Sequence, residues 1–188
     1  VKTTLCMLLT GVLLVSCAAR MDVPADPVSA EPIQATADLF AMDTFMTLRA
    51  YGPQADTLLD TAKTRITALE GTLSVTDPES DVWTLNHAAG QCVQVSEDTA
   101  AILRGAEEIS EMTNGALDIS VYPLVAAWGF TTGSYQIPDA ETIAELLPLV
   151  DYTQIELDGQ NVTLPDGMQI DLGAVAKGCL LYTSDAAD

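Results

Sequence analysis

Thr113-Asn-Gly-Ala-Leu-Asp-Ile-Ser-Val-Tyr-Pro-Leu-Val-Ala-Ala-Trp-Gly-Phe130 is the stretch on which the reading of this chain turns. An Asn114-Gly115 turn signal opens it, one carboxylate at Asp118 interrupts an otherwise apolar run, and Pro123 and Gly129 prevent one continuous helix or strand. A run of this composition buries itself, and a carboxylate carried in with it must find hydrogen bonds or a counter-charge. Asp118 is therefore either an anchor that gathers backbone N–H groups around the turn, or a site residue. The residues alone leave both open.

Outward from that stretch, the flanking text alternates helix and strand. Upstream, Ser96 caps a helix with Glu97 and Asp98 in its first turn, and Ala100, Leu103, Ala106, Ile109 and Met112 are expected on its buried side. Cys92–Val95 reads as a short strand before it. Leu58, Leu59, Ala62, Ile66 and Leu69 share a face of a helix between Gln54 and Gly71, with the glycine as its stop. Alternation from Phe45 to Ala50 predicts a first strand. Leu73–Asp81 is a polar loop, and Val82–Asn86 a short helical turn. His87, the single histidine of the chain, has no second His beside it and reads as an exposed loop residue rather than a metal ligand.

Downstream, Asp139 caps a short helix that Pro148 ends, and Asp158-Gly159 marks a hairpin between Gln154–Leu157 and Asn161–Leu164. The hairpin leads into Met168-Gln-Ile-Asp-Leu-Gly-Ala-Val-Ala-Lys-Gly178. A strand ending in a carboxylate, then a glycine and a lysine, suits backbone N–H groups meeting an anion, and equally suits a plain strand-to-helix connection. It is no Walker A loop. Helices interspersed with short strands predict an α+β fold.

The 188 residues are 48% hydrophobic, enough for a real core, and carry a net charge of −20 from 27 acidic and 7 basic residues. Nucleic acid is excluded as a partner, since nothing would neutralise its phosphates. An anionic ligand would need a cation or backbone N–H groups to hold it.

At the N-terminus, the apolar stretch Leu5–Val15 is too short to span a membrane and suits a secretory signal. Leu14-Val15-Ser16-Cys17 resembles the bacterial lipobox, which implies a signal peptide over 1–16 and lipidation of Cys17. Residues 17–38, with Pro24, Pro27 and Pro32, are expected to be a flexible tether. The expected location is the bacterial cell envelope, lipid-anchored to the membrane and facing the periplasm or outer surface.

Four segments in one order carry a family resemblance: Ala41-Met-Asp-Thr-Phe-Met-Thr47; Leu73-Ser74 with Glu79-Ser-Asp81 and Leu85-Asn86; Asn114-Gly-Ala-Leu-Asp118 with Pro123-Leu124 and Trp128-Gly-Phe130; and Asp171-Leu-Gly-Ala-Val-Ala-Lys-Gly178. Together they resemble the ApbE family, the FAD:protein FMN transferases, over residues 39–178. The resemblance implies an ApbE-like α+β domain that moves FMN from FAD to a threonine hydroxyl of an acceptor protein, typically a subunit of a redox-driven ion pump. It also implies Mg²⁺ dependence and release of AMP. By position, Met42 matches a methionine that packs on FAD. Ala116, Leu117 and Asp118 match a cofactor-contacting segment, Asp171 a flavin-site aspartate and Lys177 a residue beside the cofactor. Asp118 and Asp171 are the expected catalytic carboxylates, and the backbone carbonyl of Ala174 is an expected Mg²⁺ ligand. Two positions depart from the family: Asp43 stands for a glycine, which unsettles the local backbone path, and Thr76, expected to contact the cofactor at a position associated with holding FAD, stands where Tyr or Asn is usual.

Family members are nearly twice as long, and their remaining Mg²⁺ ligands belong to the second half. Residues 179–188 read as a translated sequencing-library adapter, so the chain is expected to be truncated at Gly178 and inactive by itself. Two other functions stay in view: an FAD pyrophosphatase giving FMN and AMP, and a non-catalytic lipoprotein that binds flavin or peptide.

Overall fold

The computed structural model describes residues 34–184; the expected signal peptide, Cys17 and most of the expected tether lie outside the described residues, as do residues 185–188. Strands β1 (Gln34–Ala41) and β2 (Thr44–Tyr51) form an antiparallel hairpin in which Ala41 pairs with Thr44. The intervening Met42 and Asp43 have φ of 50° and 51°, the left-handed pair that a two-residue hairpin turn of matching twist demands. Asp tolerates that region, so Asp43 leaves the turn intact. The strand β1 corrects the expected tether, whose last residues, from Gln34 to Asp38, are paired. Ala35, Ala37 and Leu39 turn inward and Gln34, Thr36 and Asp38 outward, the period of a half-buried strand.

Helix α1 (Ala55–Leu73) packs on both strands of the hairpin. It buries Ala55, Leu59, Ile66, Leu69 and Leu73, whereas Leu58 is exposed. Gly71 does not stop it: burying Leu73 outweighs the roughly 1 kcal/mol that glycine costs inside a helix. Helix α2 (Asp81–Asn86) starts at Ser80, whose hydroxyl accepts the Trp83 N–H at 2.9 Å. Strand β3 (Val93–Gln94) is shorter than expected. Helix α3 (Glu97–Met112) is capped by Ser96 as its sequence predicts, through the Thr99 N–H at 3.2 Å. Its buried face is Thr99, Ala100, Ile102, Leu103, Ala106 and Ser110, while Ile109 and Met112 are exposed, against expectation. Steps of three residues lag the helical repeat of about 3.6, so a row read from Ala100 has rotated about 120° off the core by Met112.

Helices α4 (Tyr122–Ala127) and α5 (Ala140–Leu146) follow, the latter capped by Asp139 through the Thr142 N–H at 2.8 Å. Strands β4 (Glu156–Asp158) and β5 (Asn161–Thr163) make the expected hairpin, and β3 completes a three-stranded antiparallel sheet in the order β3-β5-β4. Helix α6 (Gly173–Ser184) ends the described chain. The main core gathers Leu85, Leu103, Val162, Ile170 and Leu172 with their neighbours from α1, α2, α3, the small sheet and α6. No helix among the described residues is long and apolar enough to cross a membrane.

Between α1 and α3, the two terminal guanidinium nitrogens of Arg65 donate to the Asp98 carboxylate at 2.6 Å. That guanidinium, chiefly through its hydrogen bonds, holds the Asp98 carboxyl below its ordinary range. Because the folded value is depressed, the stabilisation is present above the unfolded pKa and is lost as pH falls through the folded one. Both side chains are more than a third exposed, so the pair contributes at most about 0.5 kcal/mol. Asp98→Asn should lower the urea midpoint slightly at neutral pH and leave it unchanged once Asp98 is protonated.

Candidate functional site

The turn of the β1–β2 hairpin, the end of α1, the loop after it, the end of α4 and the start of α6 enclose a cleft of about 510 Å³. That volume suits a cofactor-sized ligand. Met42 and Asp43 enter it from the hairpin turn, Glu70 and Leu73 from α1, Ser74, Val75 and Thr76 from the loop, Val125, Phe130 and Thr131 from α4 and the turn beyond it, and Asp171, Gly173, Ala176 and Lys177 from α6 and its approach.

Each wall is held by chemistry local to it. Glu70 Oε1 accepts the Met42 N–H at 2.7 Å, tying the hairpin turn to α1. Thr44 donates its hydroxyl to the Met42 carbonyl at 3.2 Å and receives a hydrogen bond from Lys177 Nζ. The lysine is thereby pinned across the cleft, and two of its three donors have no hydrogen-bond partner among the described residues. The loop carrying Thr76 is fixed by Ser74, whose hydroxyl accepts the Thr76 and Asp77 N–H groups at 3.2 and 3.1 Å, and whose carbonyl accepts the buried Ser80 hydroxyl. Asp171 Oδ1 accepts the Gly173 N–H at 2.7 Å, and Oδ2 has no hydrogen-bond partner among the described residues. Three carboxylates, Asp43, Glu70 and Asp171, face one ammonium, Lys177. An anion entering such a cleft is repelled unless a cation accompanies it.

Of the residues singled out by sequence, Met42, Thr76, Asp171 and Lys177 therefore come together from three distant parts of the chain. Ala116, Leu117 and Asp118 are not among the residues lining the cleft. Asp118 is engaged by other groups: Oδ1 accepts the Ser120 N–H at 2.9 Å and the Ser120 hydroxyl, and Oδ2 accepts the Tyr152 N–H at 3.2 Å. Ser120 is fully buried, and its hydroxyl in turn accepts the Asp151 N–H at 2.8 Å. The two carboxylate-bearing segments are nonetheless neighbours, since the Asp171 N–H donates to the Ile119 carbonyl at 2.8 Å and Val121 forms a parallel bridge with Gln169. Ala174 is exposed in the first turn of α6, outside the lining of the cleft.

Glu70, Thr44 and Phe130 escaped the reading of the sequence as site residues. A signal existed for Glu70, which sits near the end of α1, where the helix dipole disfavours a negative charge. Among the described residues no three His, Cys, Asp or Glu side chains converge as a metal cage. His87 is exposed and stacks on Trp83, ring centroids 3.8 Å apart.

The family model for ApbE matches residues 42–186. The chain belongs to the ApbE family. An FAD:protein FMN transferase of Klebsiella pneumoniae is 34% identical over 113 residues, which are 58% of this chain and 36% of that protein. Another, from Treponema pallidum, is 32% identical over 134 residues, 63% of this chain and 37% of its own length. The crystal structure of the ApbE protein of Thermotoga maritima superposes with a TM-score of 0.77 at 27% identity, covering 82% of this chain and 52% of that one. The ApbE fold is thus the α+β fold expected, and the chain spans between about a third and a half of the length of these relatives. The ApbE match begins at the cleft residue Met42 and continues through residues 179–186, part of the segment read as adapter.

Proposed function

We propose that the protein transfers FMN from FAD to a threonine hydroxyl of an acceptor protein, and that these residues form the flavin-binding part of it. The observation that carries the reading is the cleft itself, which gathers Met42, Thr76, Asp171 and Lys177 in a chain whose relatives are named FAD:protein FMN transferases. In the reaction, the threonine oxygen forms a bond to the phosphorus of the FMN half. The bond from that phosphorus to the bridging oxygen breaks, AMP leaves with the bridging oxygen, and the hydroxyl proton passes to a carboxylate or water. Lys177, pinned by Thr44, donates to the diphosphate and offsets part of its charge. Asp171, with Oδ1 engaged by Gly173, keeps Oδ2 for the proton or for a cation.

Mg²⁺ is commonly held by one or two carboxylates together with substrate phosphates rather than by an all-protein cage. A cleft with three carboxylates but, among the described residues, no three-ligand cluster fits that pattern, with Asp171 as the group that would hold the ion; the Ala174 carbonyl, expected from the family likeness, is outside the lining. When bound, it supplies neutralisation of the charge that develops on the phosphoryl oxygens. Lipidation at Cys17 would keep the reaction at a membrane surface, within reach of an acceptor such as a subunit of a redox-driven ion pump; the motif Leu14–Cys17 supports this.

The test is incubation of the full-length protein with FAD, Mg²⁺ and a threonine-bearing acceptor domain. Flavin-labelled acceptor and AMP are expected, and chelation with EDTA should abolish labelling and weaken FAD binding at least tenfold. Free FMN and AMP without labelled acceptor would instead establish a pyrophosphatase, a reading that the small, exposed Thr76 favours because it leaves one wall open to water. No turnover at all would leave a flavin- or peptide-binding lipoprotein.

A further inference from the structure

Phe130 is the single aromatic side chain among the described residues lining the cleft, and it is 58% exposed. With Trp128 and Tyr135 it makes an exposed aromatic group beside a ligand-sized cleft, and contiguous exposed apolar surface of this kind marks binding sites. Its position is not the accident of a loose loop. Trp128 lies parallel to it, centroids 6.2 Å apart and planes within 4°, and Tyr135 meets it edge-on at 6.0 Å. The backbone enforces that grouping. Gly129 has φ +76°, and a Cβ there would stand 2.1 Å from the Ser134 carbonyl oxygen, so the chain closes on itself at a point where only glycine fits. The Gln136 N–H donates to the Trp128 carbonyl at 3.1 Å, and Gln136 Nε2 to the Ala127 carbonyl at 3.0 Å, which ties down the far end of the same loop.

We infer that Phe130 is the stacking platform for a planar heteroaromatic ring of the bound dinucleotide, buttressed by Trp128 and Tyr135. The inference rests on the reading of the cleft as an FAD site. The groups suited to a diphosphate, Lys177 and the start of α6, lie on one wall, so the rings extend away from them along the others. Thr76, on another wall, carries only a hydroxyl that pairs with Ser74 at 3.2 Å and offers no flat surface. Both the isoalloxazine and the adenine present π faces, and a buttressed ring needs no ordering to receive one.

The experiment titrates the full-length protein, with Mg²⁺ present, with FMN and separately with ADP, comparing wild type, Phe130→Leu and Phe130→Trp. Phe130→Leu should weaken one of the two ligands about tenfold, the scale of a lost base–aromatic stack, and leave the other within about twofold. Loss for FMN assigns the isoalloxazine to Phe130, and Phe130→Trp should then retain affinity and quench the bound flavin's fluorescence more deeply, since the indole is electron-rich. Loss for ADP assigns the adenine. If Phe130→Leu binds both ligands as wild type does, or loses both equally, the stacking role is overturned while the cleft assignment stands. If wild type itself binds neither, the cleft assignment fails and this inference with it.

Discussion

Asp171→Asn is expected to cut the rate of FMN transfer about 100-fold while leaving the melting temperature unchanged. Asparagine keeps an oxygen to accept the Gly173 N–H, now made at 2.7 Å, so the entry to α6 survives. What disappears is the negative charge in the cleft, and with it an acceptor for the hydroxyl proton or a hold on the cation. Removing one such electrostatic element typically costs two to three orders of magnitude, or about 3 kcal/mol of barrier. The informative contrast is Asp118→Ala, which strips three hydrogen bonds from Ser120 and Tyr152 and should lower stability by about 3 kcal/mol in urea denaturation. If Asp171→Asn transferred FMN at the wild-type rate, or lost activity only in step with stability, the cleft assignment of Asp171 would fail.

The largest stability effect is expected at Asn86. Its Oδ1 accepts the Ile170 N–H at 2.7 Å and its Nδ2 donates to the Ile170 carbonyl at 2.9 Å, a two-point clamp across 84 residues of chain. Ile170 is wholly buried, so no water can replace either bond. Asn86→Ala orphans one donor and one acceptor in the core, at about 1–3 kcal/mol each, for a total of about 4 kcal/mol. A melting temperature lower by about 10 °C would be the calorimetric signature. Because Ile170 precedes Asp171, the same substitution should weaken FAD binding wherever the variant remains folded. A loss under 1 kcal/mol would show that the clamp is not made in solution.

Local chemistry was legible in the sequence, and distant chemistry was not. Ser96 and Asp139 announced their helices because a cap is written within three residues of itself, and Asp158-Gly159 announced its hairpin for the same reason. Strand β1 was hidden because its three Ala and one Asp are poor strand formers, and its existence depends on β2 across a turn with neither Gly nor Asn. The buried side of α3 was misjudged at Ile109 and Met112 because an apolar residue on a helix does not say where the core ends. At the site, Asp171 and Lys177 were readable from a strand–glycine–lysine pattern and a family likeness. The partner that engages Asp118 was not, since Tyr152 lies 34 residues away. Thr44 and Glu70 act through contacts that no spacing rule records.

The bond from the Asp171 amide to the Ile119 carbonyl makes the approaches to Asp118 and Asp171 mechanically one piece. A genetic screen scoring only loss of turnover would therefore rank both aspartates as equals. Substituting Asp118 is expected to disturb the path to Asp171 without touching any ligand. Sorting chemistry from carpentry in this protein calls for a melting curve beside every rate.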